Sequence, residues 1–202
     1  MGIQSVSFYP YMYGIACYLQ DHYDLSECHF LGTSGGCLPA LTLATGLDVR
    51  ESFYEKWNNH VIAEANSTTF KCYFSFISTC HKHAHSYFEF GDDIHERANH
   101  RLHISTSRLQ LRPSGGWNLF GAAKALAGGM RLLQNQRTSE WKSKADLIDC
   151  VSAACHIPIL VDWRQGGVVK KWREEWHLDD GLTTNQRFIF CMHAHNSGRM
   201  RC

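Results

Sequence analysis

Apolar and polar positions change rhythm several times along this chain, and each change marks an element. From Tyr11 to Leu19 the apolar residues recur at helical spacing, which predicts a helix after an irregular start. A brief apolar run, His29-Phe30-Leu31, ends at Gly32. After Ser34-Gly35-Gly36 comes Cys37-Leu38-Pro39-Ala40-Leu41-Thr42-Leu43-Ala44, small and apolar and closed by Gly46. Strand, tight turn and helix is the natural parse of that stretch. Pro39 suits it, because the N–H groups of a first helical turn have no intrahelical acceptor to lose.

Further on, the pattern weakens and then returns. Residues 49–100 are polar and rich in histidine, with Glu51, Phe53, Tyr54 and Trp57 at helical spacing, predicting a covering helix and long connections. Leu102-His103-Ile104-Ser105-Thr106-Ser107 alternates and predicts a strand. Gly115 through Arg137 predicts a loop followed by a helix. Lys144 to Ala154 predicts a helix with Leu147, Ile148 and Val151 on one face, stopped at His156-Ile157-Pro158. Trp176-His177-Leu178 then leads into a turn at Asp179-Asp180-Gly181. Short strands alternating with helices predict an α/β layered domain. At about 150 residues per domain, one domain covering 1–202 is the expectation.

Composition narrows the class. Hydrophobic residues make up 44% and aromatics 12%, enough apolar material for a packed core. Twenty Lys and Arg balance 19 Asp and Glu to a net charge of +1, with no basic block, so nucleic acid is not the expected partner. The nine cysteines form no C-x-x-C pair, which argues against a zinc ribbon or a thioredoxin-like site. They are expected to be small buried thiols in a reducing compartment. The first twenty residues carry no charge, but Ser, Gln, Pro10 and several Tyr interrupt the run and no basic residue precedes it, unlike a secretory signal. Residues 29–47 are uncharged too, yet glycine turns and Pro39 spoil a membrane span. Val6 stands where a myristoylation signal wants Ser or Thr. Asn66-Ser67-Thr68 matches a glycosylation sequon and reads as a polar loop. A cytoplasmic protein is the expectation.

Candidate chemistry concentrates in two places. Gly32-Thr33-Ser34-Gly35-Gly36 satisfies G-x-S-x-G, the nucleophile elbow. A serine on a sharp strand-to-helix turn needs strained backbone angles, and glycines on both sides let strand and helix approach. The helix start then aims N–H groups at the place where an oxyanion would form. Roughly one chain in ten of this composition would match by chance, so the flanking apolar run and small-residue helix carry the weight. Asp179-Asp180 supplies late carboxylates. Cys80-His81-Lys82-His83-Ala84-His85 alternates histidines, but no complementary ligand spacing completes a metal site, and it reads as a solvated loop. Neither a metal nor any other cofactor is expected.

Taken together, these residues resemble the patatin-like phospholipase family. Gly32–Gly36 followed by Cys37-Leu38-Pro39-Ala40-Leu41 resembles its elbow and helix, and Leu102 to Leu109 its internal strand. Asp146 to Pro158 resembles its helix followed by S-x-x-I-P, and Leu178-Asp179-Asp180-Gly181-Leu182-Thr183-Thr184-Asn185 its D-G-G/A turn with a trailing Asn. The matches are collinear over about residues 8–186, leaving 187–202 as a divergent tail. The resemblance implies a three-layer α/β domain, a central sheet covered by helices, incomplete at the N-terminal strand and the C-terminus. It implies a lipid acyl hydrolase with a Ser–Asp dyad: the aspartate takes the serine proton, and water later hydrolyses the acyl-serine. Ser34 carries over as nucleophile, and Gly32, Gly35 and Gly36 as the elbow and oxyanion element. Counting back from Asn185 selects Asp179 as base, whereas the literal Asp-Gly pair selects Asp180. The implied partner is a lipid or phospholipid at a membrane or lipid-droplet surface, reached peripherally.

Two departures keep other readings in play. Where the family has a glycine-rich oxyanion loop, this chain has Gln4-Ser5-Val6-Ser7-Phe8-Tyr9, and Pro10 has no N–H. A lost oxyanion donor costs about 10²–10³ in rate. A catalytically impaired pseudoenzyme or lipid-binding module is therefore the first alternative. An α/β-hydrolase esterase is the second, because Ser34, Asp179 and His193 or His195 follow the chain order Ser…Asp…His.

Overall fold

The computed structural model describes residues 9–59, 63, 91–109, 133–156 and 170–180. Their elements are helix α1 (Tyr9–His22), strand β1 (Phe30–Thr33), helix α2 (Cys37–Thr45), a segment of wider π pitch (Arg50–Asn58) and helix α3 (Ile94–Ala98). Strands β2 (Leu102–Leu109) and β3 (Leu133–Thr138), helix α4 (Lys144–Ala154), and strands β4 (Lys170–Trp172) and β5 (Glu175–Leu178) follow. The architecture is mixed α/β, a five-stranded sheet with helices. No described helix is long and apolar enough to cross a membrane.

Strand β2 organises the sheet. Its edge over Ile104–Leu109 takes β3 antiparallel. A strand has two edges, so β1 and β5 share the other one. There β1 runs parallel to Leu102–Ser105, and β5 runs antiparallel to Ser107–Arg108. Strand β4 then closes a hairpin on β5.

The core joins one face of this sheet to the helices. Phe30, Leu102, Ile104 and Trp172 pack with α1, α2, α3 and α4 in one apolar cluster. Helix α2 is its centre, and all nine of its residues are buried, which is why the stretch is apolar except for Thr42 and Thr45, whose hydroxyls donate to Leu38 O and Leu41 O. It ends as the sequence predicts: Gly46 adopts φ +66 and donates to Leu43 O, while Leu47 N–H donates to Thr42 O. Tyr13 stacks on Phe53, ring centroids 3.7 Å apart, fixing the π segment against α1.

The helices expected over 11–19, 37–44 and 144–154 fall on α1, α2 and α4, and the strands expected over 29–31 and 102–107 overlap β1 and β2. One expectation is corrected. The end of the stretch Gly115–Arg137, expected as loop and helix, instead belongs to strand β3, Leu133–Thr138. Its sequence Leu-Gln-Asn-Gln-Arg-Thr has no apolar alternation because both its faces are at least partly exposed. The open edge of β2, and not local preference, makes it a strand.

Candidate active site

Strand register brings two distant residues together. The last residue of β1, Thr33, pairs with Ser105, and the last residue of β5, Leu178, pairs with Ser107. The next residue on each chain, Ser34 and Asp179, is therefore delivered to the level of Thr106 from opposite directions. Strand alternation sets their face. Phe30 and Gly32 lie opposite Leu102 and Ile104, and His177 lies opposite Arg108, so Ser34 and Asp179 continue the helix-covered face. There the Ser34 hydroxyl donates a hydrogen bond to Asp179 Oδ2. Both side chains are buried, 5% and 3% exposed.

The turn carrying Ser34 has the strain an elbow requires. Thr33 is extended, Ser34 has φ +50, and a 3₁₀ turn over Ser34–Gly36 runs straight into α2. A non-glycine residue at positive φ costs about 1–3 kcal/mol. Gly32 is required by space: a Cβ there would lie 2.6 Å from the Cys37 Cα. Gly36 is not, since its nearest neighbour would be the Met12 sulfur at 3.8 Å. Gly35 is half-buried within the 3₁₀ turn. The Ser34 carbonyl accepts from the Cys37 N–H and from the Cys155 thiol, the latter at 3.0 Å. The Asp179 N–H donates to His156 O at 2.9 Å, tying the end of β5 to the exit of α4. The first turn of α2 holds no acidic residue, so the positive end of its dipole faces the pair unneutralised by its own helix.

Asp180 points the other way. Its Oδ2 accepts from Ser105 Oγ at 2.7 Å, and its Oδ1 from Asn135 Nδ2 at 2.6 Å and Ser107 Oγ at 3.3 Å. Asn135 Nδ2 also lies 2.8 Å from Ser105 Oγ. This fully buried carboxylate joins β2, β3 and the end of β5. Among the described residues, the Asp180 carboxylate bonds to the sheet and the Asp179 carboxylate to the serine.

On the helix face beside the pair lies His177, fully buried, its Nδ1 3.0 Å from Thr106 Oγ1 and its ring edge-on to Trp172. Burial, with a smaller push from Arg108, drives its pKa down to about 4. Glu175, 4.0 Å from Nε2, is engaged by Arg108 at 2.5 Å. The Cys37 thiol is held well above the usual thiol range, first by burial and then by the neighbouring Cys155 thiol.

Sequence reading alone missed Asn135, Cys155 and the Thr106–His177 contact. A signal did exist: Ser105-Thr106-Ser107 places three hydroxyls in a row after Ile104 inside a strand, and buried hydroxyls need partners. Gln4–Phe8, the sequon at Asn66, the Cys80–His85 tract, Ile157-Pro158, Gly181–Asn185, His193 and His195 lie outside the described residues. Among the described residues, no group of three or more His, Cys, Asp or Glu could hold a metal. Comparison with protein-family models, curated proteins and solved structures finds no match to the chain.

Proposed function

We propose that the chain is a serine acyl hydrolase acting on lipid esters, with a patatin-like arrangement of sheet and helices. The hydrogen bond from Ser34 to Asp179, made at a positive-φ turn between strand and helix, carries this reading. Asp179 takes the hydroxyl proton as Ser34 Oγ attacks the ester carbonyl, and the proton passes to the leaving alcohol. Water, deprotonated by the same carboxylate, then releases the acyl group. N–H groups at the start of the helical run beyond Ser34 stabilise the oxyanion, helped by the dipole of α2. Asp180 serves as a sheet strut and takes no part in proton transfer.

Direct contact between serine and carboxylate favours the dyad over a triad, in which an imidazole would stand between them. The collinear matches from the elbow to the Asp-Asp-Gly turn support a lipid substrate, met peripherally at a membrane or droplet surface. The test is labelling with a fluorophosphonate probe alongside hydrolysis of a short-chain ester. Wild type should label and turn over, and Ser34→Ala should do neither with an unchanged far-UV spectrum. Equal labelling of both chains would refute the nucleophile. An unlabelled wild type that still binds lipid vesicles would favour a lipid-binding module.

A further inference from the structure

Behind the elbow, two cysteines converge on the peptide of Ser34. Cys37, the first residue of α2, donates its N–H to the Ser34 carbonyl. Cys155, the residue that ends α4, donates its thiol to the same oxygen at 3.0 Å. The shared oxygen brings the two residues together where α2 packs on α4, and the Cys155 thiol is close enough to act on the Cys37 thiol. Cys37 is fully buried and Cys155 is partly exposed. Of the two, Cys155 is the nearer to solvent and so to a solute oxidant.

We infer that Cys155 and Cys37 are a reversible, hydroperoxide-driven disulfide pair that clasps the elbow. The Cys155 thiolate attacks the hydroperoxide O–O bond, giving Cys155 sulfenic acid and the reduced alcohol or water. The Cys37 sulfur then attacks the sulfenic sulfur, forming S–S, and hydroxide leaves with the Cys37 proton as water. Two thiols are oxidised and one hydroperoxide is reduced. Bond formation draws the sulfurs to about 2.05 Å and removes the thiol donor from the Ser34 carbonyl. The start of α2, which sets the Ser34 turn, is then bound covalently to the end of α4. Cys155 caps the C-terminus of α4 at φ −95 and ψ 4, its N–H bonded to Val151 O, so closing the bond requires rotation of its side chain away from the Ser34 carbonyl. Burial keeps Cys37 protonated, so closure is slow near neutrality and accelerates about tenfold per pH unit in alkali.

Loss of Ser34 reactivity on oxidation rests on the hydrolase reading, whereas the disulfide does not. The purified chain is treated with hydrogen peroxide or an alkyl hydroperoxide and digested without reduction, and peptides are mapped by mass. A Cys37–Cys155 cross-link, reversed by dithiothreitol, is expected, together with at least a tenfold fall in fluorophosphonate labelling that reduction restores. Cys155→Ser, which keeps a donor for the Ser34 carbonyl, should form no such link and keep its labelling under peroxide. Cys37→Ala, a small apolar replacement in the core, should accumulate a dimedone-reactive sulfenic acid on Cys155. A cross-link in a chain that never labels would support the pair and overturn the hydrolase reading. Oxidation of Cys155 to sulfinic acid with no cross-link, in a folded wild type, would overturn the pair.

Discussion

Asp179 and Asp180 are adjacent in sequence and face opposite sides of the sheet, the first bonded to Ser34 and the second to Ser105, Ser107 and Asn135. One residue of strand periodicity thus separates the proposed base from a carboxylate bonded to the sheet. The two should fail differently. Asp179→Asn is expected to lower kcat by several orders of magnitude with a small change in the urea midpoint. Asp180→Asn should cost about 2–4 kcal/mol of stability, since it removes a buried charge from three donors. It should leave labelling of the folded fraction within a few-fold of wild type. The reverse pattern would exchange the roles.

Much of this site could be read from the sequence, and the rest depended on pairing. The elbow is local: glycine spacing, an apolar run and a small-residue helix define Ser34 without any distant contact. The choice between Asp179 and Asp180 is not local, because it depends on the register of β5 against β2, set at Ser107 and Leu178. Strand β3 escaped notice for the same reason. Its polar residues report an exposed edge, and nothing in them announces that Asn135 reaches a buried carboxylate. Sequence periodicity shows which face of a strand is apolar; it does not show which strand lies alongside.

Ser34 holds φ +50, and the strain should be measurable apart from the chemistry. Ser34→Ala and Ser34→Gly both remove the hydroxyl, so their difference isolates the backbone. The glycine variant should be more stable than the alanine variant by about 1 kcal/mol in chemical denaturation, because glycine enters positive φ without a Cβ penalty. Equal stabilities would mean that the turn relaxes in solution.

The elbow glycines are not equivalent. A Cβ at Gly32 would overlap the Cys37 backbone, whereas one at Gly36 meets a methionine sulfur at ordinary contact distance. Gly32→Ala should therefore destabilise by about 3 kcal/mol or more and abolish labelling, since neither strand nor helix can yield locally. Gly36→Ala should stay within about 1 kcal/mol of wild type. Thermal melts of the two variants, with labelling of the folded protein, decide the matter.

His177 should make stability depend on pH. Its folded pKa, about 4, lies below the ordinary value of 6.5, so the folded chain refuses a proton that the unfolded chain accepts. Stability is full above about pH 6.5, declines as pH falls towards 4, and levels off below that for this group. The drop is about 3 kcal/mol at most, from 1.36 kcal/mol per pH unit. His177→Gln keeps a hydrogen-bonding group near Thr106 without titrating. It should flatten the urea-midpoint profile between pH 6.5 and 4. A variant with the wild-type slope would assign the effect to another group.

Catalysis should proceed without histidine. In a Ser–His–Asp triad the carboxylate bonds an imidazole and the imidazole bonds the serine, so serine and carboxylate stay apart. Here they touch, which leaves an imidazole no place between them in this state. His193→Ala combined with His195→Ala should then retain kcat within a few-fold of wild type, and Asp179→Asn should not. The comparison needs folded protein, checked by far-UV dichroism, and kcat measured separately from KM, because a base acts in the transition state while a binding residue shifts KM. A folded double-histidine variant that has lost at least a thousandfold in kcat would transfer the base to an imidazole. The Ser34–Asp179 contact would then describe a resting arrangement that must open for catalysis.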